Sequence, residues 1–195
     1  MPRYRRLVAR RQVACCAATF VQSSRVVFSP FDVRPMTVID DAPSGFAPLG
    51  IRMGFLESNG PLYLRWSEER ATLGFRVALR HCNPGNVCHG GMLATFADML
   101  LPIASRLQSK AEMGFLPTIN LVCDFLAPAP LGSWVQGNAD AVTVTRNLLF
   151  AHGLVTADGI ACLRASGIFK ITNPGSAKRG DFSGEVLVGP SGAQT

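Results

Sequence analysis

The sequence predicts an α+β fold in which one antiparallel sheet wraps a single long helix. Three observations carry this expectation. Gly91 to about Leu107 is the only long stretch of helical character, and it is apolar around almost its whole circumference, as a helix buried by protein must be. Most of the remaining body reads as five or six strand-like segments, several with apolar residues at alternate positions. Turn signals separate those segments, and there is no internal repeat.

In chain order, Gly50 to Glu57 has strand character, Ser58-Asn59-Gly60 signals a turn, and Pro61 to Ser67 returns as a second strand. Ala71 to Leu79 follows, with Leu73, Phe75, Val77 and Leu79 pointing one way. The loop from His81 leads into the helix. Pro102 lies inside the helix and removes the bond to the carbonyl of Asp98, which predicts a kink or an early end there. Strands are then expected over Thr118–Ala127, Trp134–Thr145, Leu148–Ala157 and Ile160–Thr172. Asp158-Gly159 is a tight hairpin signal between the last two.

A 195-residue chain with 48% hydrophobic and 16% charged residues can bury one proper core, so global disorder is excluded. The net charge of +6 is unevenly placed. Residues 1–35 hold seven arginines and one acid, Asp32, while the remainder balances to zero. The body therefore shows no nucleic-acid footprint. Residues 1–48 read as a basic, loose extension. Its apolar run Val13–Val21 is too short to span a bilayer. It is a targeting segment, a disordered tail, or a stretch preceding a true start at Met36. Residues 49–173 form the expected domain, and 174–195 a flexible tail. Six cysteines show no C-x-x-C spacing and form no zinc pattern with the three histidines. Cys82, Cys88, Cys123 and Cys162 read as reduced core thiols of a cytoplasmic protein, with no metal and no cofactor expected.

The chemistry concentrates in Asn83-Pro84-Gly85-Asn86-Val87-Cys88-His89-Gly90-Gly91 and the helix it opens. A helix start offers free N–H groups and partial positive charge, suited to a developing oxyanion, and glycine lets a ligand approach closely. Asp98 is a lone acid among apolar helix residues, costly to bury unless partnered, and suited to attack a carbonyl or activate water. Gly-Gly as a simple helix entry and Asp98 as a structural acid remain open readings. Gly90 and Asp98 are eight residues apart, about 12 Å along one helix, too far to act on one carbonyl. Two antiparallel copies of the helix would bring Asp98 of one beside Gly90 of the other. Asn83 offers an amide for a carbonyl or water, or is a turn residue. His89 favours a structural capping role. Thr118 could place a water, or simply form strand.

Together these residues resemble the hotdog-fold acyl-CoA thioesterases of the phenylacetate-pathway type. That family's pattern has the form Asn-x-x-Gly-x-x-His-Gly-Gly with an Asp nine residues after the His. Asn83, Gly85, His89, Gly90, Gly91 and Asp98 are taken as its counterparts, and similarity extends from about Gly50 to Thr172. The resemblance implies a hotdog fold and hydrolysis of an acyl-CoA by a homodimer or homotetramer, with no nucleic acid and no membrane. Gly90 would polarise the thioester carbonyl with Asn83 assisting and His89 counted among the catalytic residues, Asp98 of the partner subunit would be nucleophile or general base, and Thr118 would place water. Gly91 and Arg146 would bind substrate, Arg146 against a coenzyme A phosphate. A non-catalytic acyl-CoA sensor and a hotdog hydratase or dehydratase are the competing classes.

Overall fold

A computed structural model describes residues 42–49, 54–109 and 113–173. The expectations for residues 1–41 and 174–195, including a start at Met36, lie outside the described residues.

The elements run β1 (Ala47–Pro48), α1 (Gly54–Asn59), β2 (Tyr63–Ser67), β3 (Arg70–Arg76), a 3-10 turn (Leu79–His81), α2 (Gly90–Gln108), β4 (Thr118–Phe125), β5 (Trp134–Val144), β6 (Leu148–Ala157) and β7 (Ile160–Lys170). They make one antiparallel sheet in the order β1-β2-β3-β5-β6-β7-β4. Among the described residues, the strand β4, which follows the helix in sequence, pairs only with β7 and is an open edge.

Helix α2 lies across β3, β5, β6 and β7 and also touches β4. Close seating requires small residues beneath it. A Cβ at Gly137 would lie 2.6 Å from Leu100 Cδ2, and one at Gly153 would lie 3.0 Å from Leu101 Cδ2. Glycine at these two strand positions is therefore what lets the helix backbone come down onto the sheet. Phe75, Phe96, Leu100, Leu101, Leu149, Leu163 and Phe169 fill the core without exposure. Along β6 the alternation is regular: Leu149, Ala151, Gly153, Val155 and Ala157 face the helix, while His152 and Leu154 face out.

Two expectations need correction. Residues 50–53 lie outside the described residues, and the described part of the segment expected as the strand Gly50–Glu57 is helical: Gly54–Asn59 is a helix. It closes on itself through Ser58 Oγ to the Gly54 carbonyl, Asn59 Nδ2 to the Phe55 carbonyl and Gly60 N–H to the Leu56 carbonyl. Only Leu56 of its apolar residues packs on the core, and Phe55 is exposed, which is helical rather than alternating burial. Pro102 does not end α2, which continues to Gln108. The apolar walls of β3 and β5–β7 hold the segment helical across the lost bond. The hairpin at Asp158-Gly159 forms as expected, with φ of 47° and 85°.

Candidate functional site

The approach to α2 is a small ribbon folded by its own side chains. Asn83 N–H donates to the Val87 carbonyl, Asn86 N–H to the Asn83 carbonyl, and Gly85 N–H to Asn83 Oδ1 at 2.9 Å. Asn83 is thus a turn former through its carbonyl oxygen, and its NH2 group remains for other work. Counted back from His89, the glycine of the family pattern falls on Asn86 rather than Gly85. Asn86 adopts φ of 56°, the left-handed conformation that glycine takes freely and asparagine tolerates. The ribbon is anchored on one side by Cys88 N–H to the Ala129 carbonyl and Leu131 N–H to the Asn86 carbonyl. On the other, His89 N–H donates to the carbonyl of buried His81 at 2.7 Å.

His89 is the N-cap of α2. Its Nδ1 accepts from Gly91 N–H at 2.9 Å, and its carbonyl accepts from Met92 and Leu93. The donors of the first turn are therefore not equivalent. Those of Gly91, Met92 and Leu93 are spent on His89. The N–H of Gly90 has no partner among the described residues. The ring of Phe125 on β4 stands 3.3 Å from where a Cβ of residue 90 would be, so any side chain larger than glycine's would press on that ring.

Two turns along α2, half-buried Asp98 accepts a 2.6 Å hydrogen bond at Oδ1 from the Thr118 hydroxyl, which opens β4. A short O–H···O⁻ contact of this kind fixes the carboxylate. Its other oxygen, Oδ2, has no partner among the described residues. Asp98 and Thr118 face one cavity of about 150 Å³, whose wall also includes Met99, Ile103, Phe115 and Arg106. Thr118 was expected to place a water or simply to form strand; its contact with Asp98 joins a helix to a strand twenty residues away.

One candidate stands apart. Arg146 is exposed on the β5–β6 turn and does not line the cavity. Asp124 pairs across strands with Arg164 at 2.8 Å and balances the charge it adds to β4. Cys88, beside the capping histidine, is buried. Burial first, then the neighbouring Cys82 and Cys162, push its thiol up to about 12, so it supplies no thiolate near neutral pH. Sequence reasoning missed Phe125 as the wall over Gly90 and Arg106 as a cavity residue. The spacing 98, 102, 106, one stripe of a helix, was the available signal for the second.

Residues 85–163 match the family model described as Thioesterase superfamily. A Pseudomonas aeruginosa protein bearing the name "putative esterase" is 28% identical over 132 residues, 67% of this chain and 98% of the relative. A variant of the phenylacetic acid degradation protein of Thermus thermophilus has 22% identity and a TM-score of 0.51, covering 60% of this chain and 96% of that one. A hypothetical thioesterase of Streptococcus pneumoniae, solved with coenzyme A, has 16% identity and a TM-score of 0.50, covering 58% and 87%. These structural likenesses identify the fold as a hotdog.

Proposed function

We propose that this hotdog-fold chain is a member of the thioesterase superfamily and acts as an acyl-CoA thioesterase, hydrolysing the thioester of an acyl- or aryl-acyl-CoA to a free acid and coenzyme A. The observation that carries this is the division of labour along α2. Its first turn leaves one donor unspent among the described residues, Gly90 N–H, and its middle places Asp98, with Oδ2 unpartnered, in the wall of a mostly apolar cavity. The donor would stabilise the oxygen of the tetrahedral intermediate. The carboxylate would act on the carbonyl carbon, directly or through a water it deprotonates. Attacking directly, the carboxylate would form a mixed anhydride as the carbon–sulfur bond breaks and thiolate leaves, and a water would then hydrolyse the anhydride to the free acid; attacking through water, the carboxylate would pass the proton it takes from that water to the departing sulfur.

The two groups lie about 12 Å apart on one helix, so each site would use Gly90 of one subunit and Asp98 of another. The open edge supports this. Ile119, Val122, Phe125 and Leu126 are each about half exposed or more, an apolar ribbon that a second copy would cover. The solved relative that holds coenzyme A supports the choice of ligand. No described helix is long and apolar enough to cross a membrane. We read the enzyme as cytoplasmic, consistent with free thiols at Cys82, Cys88, Cys123 and Cys162.

Thiol release from a panel of acyl-CoAs tests the chemistry: Asp98→Asn should lose ~10²-fold or more in kcat. Mixing tests the sharing of sites. Asp98→Asn and Gly90→Ala chains, each weak alone, should regain activity when co-assembled, because a mixed pair contains one intact site. No recovery in a verified mixed oligomer would overturn the shared site, and saturable acyl-CoA binding without turnover by wild type would favour the sensor.

A further inference from the structure

The cavity beside Asp98 has a charged far end. Its wall includes Arg106, eight residues beyond Asp98, and Asp98, Pro102 and Arg106 form one stripe of α2 facing the same space. That spacing puts the two charged residues about 12 Å apart along the axis. Between them the wall is apolar, including Met99, Ile103 and Phe115. Arg106 is half-buried, and among the described residues no carboxylate pairs with it. By contrast, the exposed Arg70 and Arg164 are both paired, with Asp140 and Asp124.

A guanidinium borne by a residue in the wall of an apolar cavity, with no carboxylate partner among the described residues, has donors to offer to an acceptor that enters the cavity. Its flat fork matches a carboxylate with two parallel hydrogen bonds. A cavity of this volume holds a guest of about six carbons, since engineered cavities of ~150 Å³ take up benzene. An acyl group with its thioester carbon near Asp98 would then bring its far end to Arg106.

Building on the thioesterase reading of this site, we infer that Arg106 selects acyl-CoAs whose acyl chain ends in a carboxylate, of about six carbons. The bland alternative is a cation that merely favours the helix C-terminus, and it predicts no substrate preference.

The test compares the CoA thioesters of a six-carbon dicarboxylic acid and of hexanoic acid, in wild type and in Arg106→Leu, Arg106→Gln and Arg106→Lys, each checked for folding by thermal melting. Wild type should prefer the carboxylate-ended substrate by ~10-fold or more in kcat/KM. That ratio should fall to one or below in the Leu and Gln variants and be partly kept by Lys, since a charge-assisted hydrogen bond contributes about 1.5–3 kcal/mol, roughly 10- to 10²-fold. An unchanged ratio, or an equal loss on both substrates as a coenzyme A phosphate contact would give, overturns the inference. If no thioester is turned over, the hydrolase reading fails. The same ratio, measured by calorimetry with non-hydrolysable thioether analogues, still decides the role of Arg106.

Discussion

The start of α2 and its middle are built in opposite ways. At the start, the functional group is a backbone N–H with His89 consuming its neighbours, and it is placed by a ribbon between His81 and Leu93 that the Ala129 carbonyl and Leu131 N–H anchor from outside. In the middle, the functional group is a side chain, and what orients it comes from β4 through Thr118. The difference teaches where each half is vulnerable. The amide depends on the integrity of a local ribbon. The carboxylate depends on a long-range docking of strand against helix.

Acid is the largest perturbation expected at the ribbon. His81 is buried, and its Nδ1 accepts from Ala78 N–H at 3.0 Å, so protonation would set a donor against a donor. Burial, and then the charge of Arg80, lower its pKa from 6.5 to about 4. The sign follows. Above pH 6.5 neither folded nor unfolded chain protonates this group, and its contribution is constant. Between 6.5 and 4 only the unfolded chain takes the proton, so stability falls with pH by about 3 kcal/mol, and below 4 this group adds no further loss. Denaturant titrations from pH 7.5 to 4 would show this slope. His81→Asn, which keeps an acceptor for Ala78 but cannot titrate, should flatten it. An equal slope in the variant would assign the acid sensitivity elsewhere.

Gly90→Ala is the next largest. Its methyl would meet the Phe125 ring at 3.3 Å and crowd the free N–H, while His89 still caps Gly91. Turnover should fall ~10-fold with little change in Tm. Adding Phe125→Leu should restore part of it if the ring is the obstacle.

Thr118→Val is the mildest. It keeps the β-branched shape and removes the 2.6 Å bond to Asp98. A several-fold loss in kcat, with KM little changed, is expected because the carboxylate loses its orientation but not its place. A change in KM alone would make Thr118 a substrate contact.

The same contrast explains what the sequence revealed. The helix was legible to within a residue at each end, because an apolar circumference opened by Gly-Gly and closed by polar residues is a local pattern. The boundaries of β6 and the hairpin into β7 were legible from alternation and Asp158-Gly159 for the same reason. Gly54–Asn59 was misread because six residues carry too little periodicity to separate helix from strand. Asn86 in its left-handed turn, Phe125 over Gly90 and Thr118 on Asp98 were not legible as such. The first depends on backbone conformation, and the others on where β4 lands after the chain leaves α2.

The unpaired flank of β4 has a consequence for how such a protein would behave when scarce. On the shared-site reading, dilution below the dissociation constant separates the two halves of every reaction centre and bares an adhesive ribbon in the same event. Specific activity would then report concentration, and loss of turnover on dilution would precede precipitation rather than follow it.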